Sequence, residues 1–352
     1  MNQKRAAKSV RVWLIVGLVM VFLQILIGGV TRLTGSGLSI TEWNVVLGIF
    51  PPMNAAEWNE AFHKYQQIDQ YKLVNSQMSL SEFKYIFFWE WFHRLWARAM
   101  GFVFLIPLIY FVIRGRIAKH HILRYSVLLF LGGLAGVVGW LMVMSGMQDD
   151  KVLVNPLNLM VHLIVASAIF IYLFRLILED TYPKHIVRYD RSARRLSSIL
   201  LGLVILQIAL GGIVAGSVAA LSSTTWPLMN GSFIPSGLGI HLPYNDFMYE
   251  NNITIQFTHR MVAYLITIYA VYYFWKTREV LAKPIFHTYR YLMIVVVFVQ
   301  VVLGILTILN SKGAVPVGLG VMHQLVAFIL LNIVVGLHYF VKYRAISMSS
   351  VR

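Results

Sequence analysis

The chain contains no cysteine among its 352 residues. Disulfide bonds, iron–sulfur clusters, thiolate ligands to haem and cysteine nucleophiles are therefore excluded. Any redox or metal chemistry in this protein must depend on histidine and carboxylate side chains.

Charged residues are also scarce. They make up 12% of the chain, while hydrophobic residues make up 58%, and a soluble domain typically contains about 25% charged residues. Apolar runs of roughly 20 residues recur along the sequence, each long enough to cross a hydrocarbon core about 30 Å thick. We therefore expect an all-α membrane protein, because lipid leaves no partner for an open sheet edge.

The apolar runs predict eight transmembrane helices. Their expected positions are 12–30, 87–113, 122–144, 155–178, 196–220, 253–275, 289–309 and 316–341. The basic start of the chain runs directly into the first apolar run without a small-residue cleavage site, so we interpret that run as an uncleaved helix.

The connections between these spans alternate in charge. Basic residues occur at both termini and in 114–124, 179–195 and 276–290, whereas 221–252 contains no Lys or Arg. The positive-inside rule places both termini in the cytoplasm and the long segment 31–86 outside. It also explains the net charge of +16 without nucleic acid as a partner. No Arg- and Ser-rich transit peptide is present, which favours a bacterial inner membrane over an organelle.

The sequence repeats itself in two halves, 1–180 and 181–352. The run L-Q-I-L-I-G-G-V at 23–30 matches L-Q-I-A-L-G-G-I at 206–213, an offset of 183. A His-Arg pair follows in each half, and then a single histidine, in the same order. Four spans per half give the repeats the same orientation in the membrane. We predict two pseudo-symmetric four-helix bundles, in which the glycine pairs let helices approach closely.

Four histidines occupy matching positions in the even-numbered spans: His93, His162, His259 and His323. We expect all four at one depth in the outer leaflet. Ionisable groups inside a membrane usually mark function, and two histidines from two helices commonly hold a haem by both axial positions. Copper or zinc is the alternative, but such sites need three or four close ligands. The remaining histidines are interpreted as solvated or packing residues: His63, His120, His121, His185, His241, His287 and His338.

Arg94 and Arg260 directly follow two of these histidines. A buried arginine needs an anion, and the propionates of a haem supply two carboxylates for bidentate pairing. A structural salt bridge is the alternative. Arg32, just past the first span, is a further candidate for the same role.

The two halves differ one turn before the first histidine of each pair. Glu90 precedes His93 on the same helix face, whereas Gln256 holds the matching position before His259. A carboxylate beside a haem can accept a proton or stabilise positive charge, and glutamine cannot ionise. We infer that one half performs chemistry and the other holds a permanent haem. The alternative for Glu90 is an interfacial carboxylate stabilised by the helix dipole.

Several motifs identify a family. They are G-G-V-T-R-L-T-G-S-G-L-S-I-T-E-W at 28–43, G-I-F-P-P at 48–52, E-F-K at 82–84, I-F-F-W-E-W at 86–91 and H-R at 93–94. Together they closely resemble the haem A synthase family, whose members oxidise a methyl group of haem O to the formyl group of haem A. The resemblance covers essentially the whole chain and matches the cysteine-free members, so a role for cysteines of the first outer loop in electron delivery does not apply here.

The resemblance implies a division of labour between the halves. His259 and His323, with Arg260, would bind a resident haem b. His93 and His162, with Arg94 and Arg32, would bind the substrate haem O, and Glu90 would be the catalytic carboxylate. The reaction would pass through an alcohol and a gem-diol. The resemblance also makes haem O synthase and cytochrome oxidase assembly factors candidate partners, and a homo-oligomer stays open.

Two other functions remain open from the residues alone. A bis-haem electron carrier, such as a quinol-linked cytochrome b, would hold two equivalent haems and modify neither. A haem transporter or chaperone would release haem with its ring unchanged.

Overall fold

A computed structural model describes residues 8–42, 47–148, 150–182, 190–239, 251–280 and 284–341. Across these residues the regular structure is helical, and no strand of a sheet is formed. The α-helices are α1 (Lys8–Leu33), α2 (Ala55–Gln66), α3 (Asp69–Leu73), α4 (Leu80–Ile113), α5 (Ile122–Ser145), α6 (Pro156–Thr181), α7 (Arg191–Ser217), α8 (Asn252–Lys276), α9 (Pro284–Leu309) and α10 (Val317–Phe340).

Seven helices in the described part of the chain are long and apolar enough to cross a membrane: α1, α4, α5, α6, α7, α9 and α10. The protein is therefore a multi-pass membrane protein. The remaining predicted span corresponds to α8, whose 25 residues extend about 38 Å at a rise of 1.5 Å per residue. His259, Arg260 and several tyrosines make α8 less apolar than the others. The count of eight spans stays a prediction.

The helices occupy the predicted positions, and three of them start five or more residues earlier than predicted. α4 begins at Leu80 rather than 87 because Ser79 and Glu82 form a capping box there. α7 begins at Arg191 rather than 196, since the side chain of Asp190 accepts a hydrogen bond from the Ala193 N–H. α9 begins at Pro284 rather than 289. Polar capping residues, which hydropathy alone ignores, set the starts of α4 and α7.

The segment between α1 and α4 contains two short helices that the sequence analysis did not predict. α2 and α3 fold over the added turns of α4, where Tyr65, Phe83 and Phe87 are buried. Trp58 and Phe62 pack against this cluster. The aromatic cluster fixes the segment that leads into the first histidine helix.

The long helices pack in a regular order. α1 packs against α4 and α6, and α5 packs against α4 and α6. In the same way α7 packs against α8 and α10, and α9 packs against α8 and α10. The contacts of α6 with α7 and of α1 with α10 join the two sets. α1, α6, α7 and α10 are consequently the most buried of the long apolar helices, and α5 and α9 lie at the periphery.

The other histidines lie apart from this arrangement. His63 lies in α2, within the connection between α1 and α4, whereas His287 lies in the first turns of α9 and not in the connection 276–290, where the sequence suggested it would be. The ring of His338 is within hydrogen-bond distance of the hydroxyls of Ser197 and Ser198, as expected for a packing residue. His120 and His121 belong to a short 3-10 segment. His185 and His241 lie outside the described residues.

Candidate functional site

The four candidate histidines lie on α4, α6, α8 and α10. His162, His259 and His323 are each about two turns inside their helices. His93 is about three and a half turns inside α4, since this helix starts earlier than predicted. The added turns of α4 carry the aromatic cluster described above, and His93 follows them in the chain.

Each histidine ring packs against a glycine of the long helix that precedes its own. A Cβ atom added to the glycine would lie 3.0–3.5 Å from the Cε1 atom of the ring. In three of the four pairs this distance is too short to admit a Cβ without movement of the ring. The pairs are Gly28 with His93, Gly139 with His162, Gly304 with His323 and, with the most room, Gly211 with His259. The expectation that the glycine pairs permit close helix approach is confirmed at Gly28, and its neighbour Gly29 faces Gln324.

The histidines approach one another in two pairs. The ring centroids of His259 and His323 are 6.5 Å apart, with 67° between the ring planes. His162 is close enough to His93 for the two rings to interact electrostatically. A metal–imidazole bond is about 2 Å long. If one metal bound two imidazoles, the distance between their ring centroids would be two bond lengths plus the distance from each bound nitrogen to its centroid. This sum is close to the 6.5 Å between the centroids of His259 and His323.

Unpaired ring nitrogens support this reading. The Nδ1 atoms of His162, His259 and His323 are buried and have no hydrogen-bond partner. A buried polar atom left unpaired costs about 1–3 kcal/mol, so the apolar site lacks a partner that these rings require. A haem iron held by two imidazoles would supply one. Among the described residues no group of three or more His, Asp or Glu side chains could hold a metal ion, whereas a haem needs only two histidines.

Glutamine side chains hold three of the four rings. The Nε2 atom of Gln24 lies 3.2 Å from both ring nitrogens of His93 and donates to its backbone carbonyl at 3.2 Å. The Nε2 atom of Gln207 lies 3.2 Å from the Nε2 atom of His259 alone and donates to the His259 carbonyl at 3.0 Å. Gln300 approaches the ring of His323 at 3.4 Å. Each glutamine lies four residues before the glycine that contacts the same ring.

Glu90 is 2% exposed and anchors the segment after α1. Its Oε2 atom accepts hydrogen bonds from the Ser39 hydroxyl at 2.7 Å and from the Ile40 N–H at 2.8 Å. Its Oε1 atom forms an ion pair with Arg94. The helix-dipole alternative for Glu90 is wrong, because α4 begins ten residues earlier and the dipole acts within the first turn. The carboxylate is held by specific donors.

Gln256 anchors the matching segment of the second half with the opposite polarity. Its Nε2 atom donates to the carbonyls of Ala220 at 3.2 Å and Ser223 at 2.8 Å. Glu90 accepts hydrogen bonds from its segment, whereas Gln256 donates them. The difference in sequence is therefore a difference in charge and in hydrogen-bond direction between two otherwise similar places.

The arginines contact backbone carbonyls. Arg94 donates to Ile40 and Glu42 at 3.0 and 2.9 Å, and Arg260 donates to Ser223 and Thr225 at 3.0 and 2.9 Å. The salt-bridge alternative holds for Arg94, which also pairs with Glu90. Propionate binding by these arginines stays a prediction.

Arg32 joins the end of α1 to the end of α7. Its guanidinium donates to the carbonyls of Ala215 at 2.5 Å and Gly216 at 3.1 Å. These are among the last carbonyls of α7, which have no partner within the helix. The Nε atoms of Arg32 and Arg260 are buried without a partner, so each retains one donor for a further acceptor.

Sequence reasoning missed the glutamines and two of the glycines. The signal was present, because Gln-x-x-x-Gly occurs at Gln24–Gly28, Gln207–Gly211 and Gln300–Gly304, each on a helix preceding a histidine helix. The two runs used for the repeat contained the first two of these motifs. Their role became evident only once the glycines were found beneath the rings.

Comparison with known proteins shows which family the whole chain resembles. The model of the cytochrome oxidase assembly protein family matches residues 11–335. The haem A synthase of Brucella ovis is 41% identical over 335 residues, which are 93% of this chain and 90% of that protein. The haem A synthase of Parvibaculum lavamentivorans is 41% identical over 323 residues, or 92% of this chain and 91% of that protein.

The arginine contacts predict which segment each arginine stabilises. Arg94→Ala should speed amide exchange in residues 36–42, and Arg260→Ala should speed it in residues 220–228, because each variant loses two hydrogen bonds to its own segment. At about 0.5–1.5 kcal/mol per bond, two bonds contribute about 1–3 kcal/mol, so exchange should become about fivefold to more than 100-fold faster. Hydrogen–deuterium exchange with mass spectrometry measures both segments at once, and each variant is the control for the other. Equal effects on both segments in either variant would contradict the assignment.

Proposed function

The chain belongs to the cytochrome oxidase assembly protein family, and from this membership we propose that it is a haem A synthase. The reaction oxidises the methyl group of haem O to a formyl group. It removes electrons and protons from the substrate and adds one oxygen atom. The observation that carries the proposal is the presence of two histidine pairs, of which only the first has a carboxylate one turn away.

We propose that His259 and His323 bind a resident haem b and that His93 and His162 bind haem O. When bound, haem b supplies a centre that accepts and passes on electrons. The glycines beneath the rings leave space for the imidazoles, and a haem iron would satisfy the unpaired Nδ1 atoms. Arg260 and Arg32 each have an unused Nε donor, which supports the propionate role predicted for them. Arg94 is the matching residue of the haem O site.

Glu90 is the proposed catalytic carboxylate. The Ser39 hydroxyl, the Ile40 N–H and Arg94 fix its position, so its negative charge stays at one place beside the substrate half. A fixed charge in an apolar site stabilises a developing positive charge or accepts a proton without reorganisation. Gln256 retains the anchoring function in the other half and lacks the charge.

We propose that the chain forms eight spans arranged as two four-helix bundles, 1–180 and 181–352, with α8 as a span. Within each half the contacts close a ring of four long helices, which supports this arrangement. The proposed location is a bacterial inner membrane, with both termini in the cytoplasm and the histidines toward the outer face. Haem O synthase and oxidase assembly factors are proposed partners.

The catalytic role of Glu90 predicts a selective loss of activity. Glu90→Gln should lower haem A formation by about 10²-fold, since a fixed charge of this kind contributes that much to rate, while the variant still binds haem O. Porphyrins extracted from the purified protein and identified by mass should show haem O accumulating in place of haem A. Glu60→Ala, which removes an exposed carboxylate of α2, is the control and should behave as the unaltered chain. Normal haem A output from Glu90→Gln would refute the role.

The division between the sites predicts different losses from the two histidine pairs. His259→Ala should reduce the haem b content by about tenfold or more, because one axial ligand is missing, while haem O binding is retained. His93→Ala should retain haem b and lose haem O. Chromatography of the extracted haems gives both contents per protein. Equal loss of both haems from either variant would instead favour two equivalent haems, as in an electron carrier.

The cysteine-free sequence allows a direct test of orientation. Ser236→Cys, exposed between α7 and α8, should react with a membrane-impermeant maleimide in intact cells stripped of their outer membrane. Lys119→Cys, exposed before α5, should react only after the inner membrane is opened. The unaltered chain cannot react and serves as the blank. The reverse labelling pattern would overturn the proposed topology.

A further inference from the structure

The four histidines are held alike except at one place. Gln24, Gln207 and Gln300 each contact one of the rings from a position one turn before the glycine beneath it. For His162 that position on α5 is Ala135, four residues before Gly139. The matching residue in the second half is Gln300, four residues before Gly304.

His162 consequently has no side-chain hydrogen-bond partner among the residues that the structure describes. A Cβ atom added to Gly139 would lie 3.1 Å from the Cε1 atom of the His162 ring. The ring also forms a hydrogen bond with the backbone of Ala135. His323 has the corresponding contact with the backbone of Gln300 and the Gln300 amide in addition. The surroundings of the two rings therefore differ in one contact, the side-chain amide of Gln300.

A metal-binding histidine donates its second ring N–H to an acceptor that fixes the ring orientation, and loss of that acceptor typically lowers metal affinity by about 10–100-fold. The Oε1 atoms of Gln24, Gln207 and Gln300 are buried without a partner, and each would accept this N–H once its amide is turned by half a turn. The resident pair has two such glutamines, Gln207 and Gln300. The substrate pair has one, Gln24, on His93. A substrate must enter and its product must leave, whereas a resident cofactor must stay. The pair proposed to bind the resident cofactor has more glutamine contacts than the pair proposed to bind the substrate.

We propose that Ala135 makes His162 the exchangeable ligand, which dissociates when haem O enters and when haem A leaves. Gln24, Gln207 and Gln300 are then positioning residues that hold the other three histidines in place. This inference rests on the proposed function. It identifies the resident half from the contacts of this chain alone, independently of the Glu90–Gln256 difference.

The test is the rate of haem release. Protein produced with haem O is purified with both haems bound and mixed with excess apomyoglobin, which captures released haem. Chromatography of the haems left on the protein separates haem O from haem b. Ala135→Gln should slow haem O release by about tenfold or more and leave haem b release unchanged. Gln300→Ala should speed haem b release by a similar factor and leave haem O unchanged.

Ala135→Leu is the control for side-chain volume, since leucine fills similar space and has no amide. If Ala135→Leu slows haem O release as much as Ala135→Gln does, packing and not the amide is responsible, and the proposal is overturned. Unchanged release from Ala135→Gln, with haem O bound, also overturns it and leaves the proposed function intact. If no haem O copurifies with any variant, the proposed function fails, and this proposal fails with it. The visible spectrum of Ala135→Gln should also gain low-spin character at the haem O site, which a merely structural role would not produce.

Discussion

The contact between an imidazole ring and a helical glycine is the interaction on which the rest of this structure depends. It occurs four times, always between a histidine helix and the long helix before it. A histidine in an apolar helix bundle needs space for its ring and a partner for its nitrogens. The glycine supplies the space by removing one side chain. A glutamine amide contacts the ring in three cases, and the Nδ1 atoms of His162, His259 and His323 have no hydrogen-bond partner.

The positions of the long helices could be predicted from the sequence because lipid imposes a simple requirement. A run of about 20 apolar residues is visible without any knowledge of its neighbours. The ends of α4 and α7 were less accurate, since Ser79 and Asp190 extend those helices by hydrogen bonds at polar positions. α2 and α3 were missed because they are short and polar on one side, and their aromatic residues are buried only through contacts with α4 and with each other.

The candidate site was predictable in its composition and much less so in its contacts. The repeat identified His93, His162, His259 and His323 and the difference between Glu90 and Gln256. It did not show that Glu90 accepts hydrogen bonds from Ser39 and Ile40, because the path of the segment after α1 is not encoded in a periodic pattern. Ala135 was invisible for a related reason. An alanine in an apolar helix has no significance until the ring beside it and the glutamine at the matching place are both known.

Arg32 ties the two halves together in an asymmetric way. With the repeat offset of 183, the residue that matches Arg32 is Ala215, and the guanidinium donates to the carbonyl of that very residue. The matching position of the second half therefore carries no guanidinium. The halves are not interchangeable modules: without the first half, the Ala215 and Gly216 carbonyls would lose the guanidinium that covers them, and a second copy of the second half would present an alanine in its place.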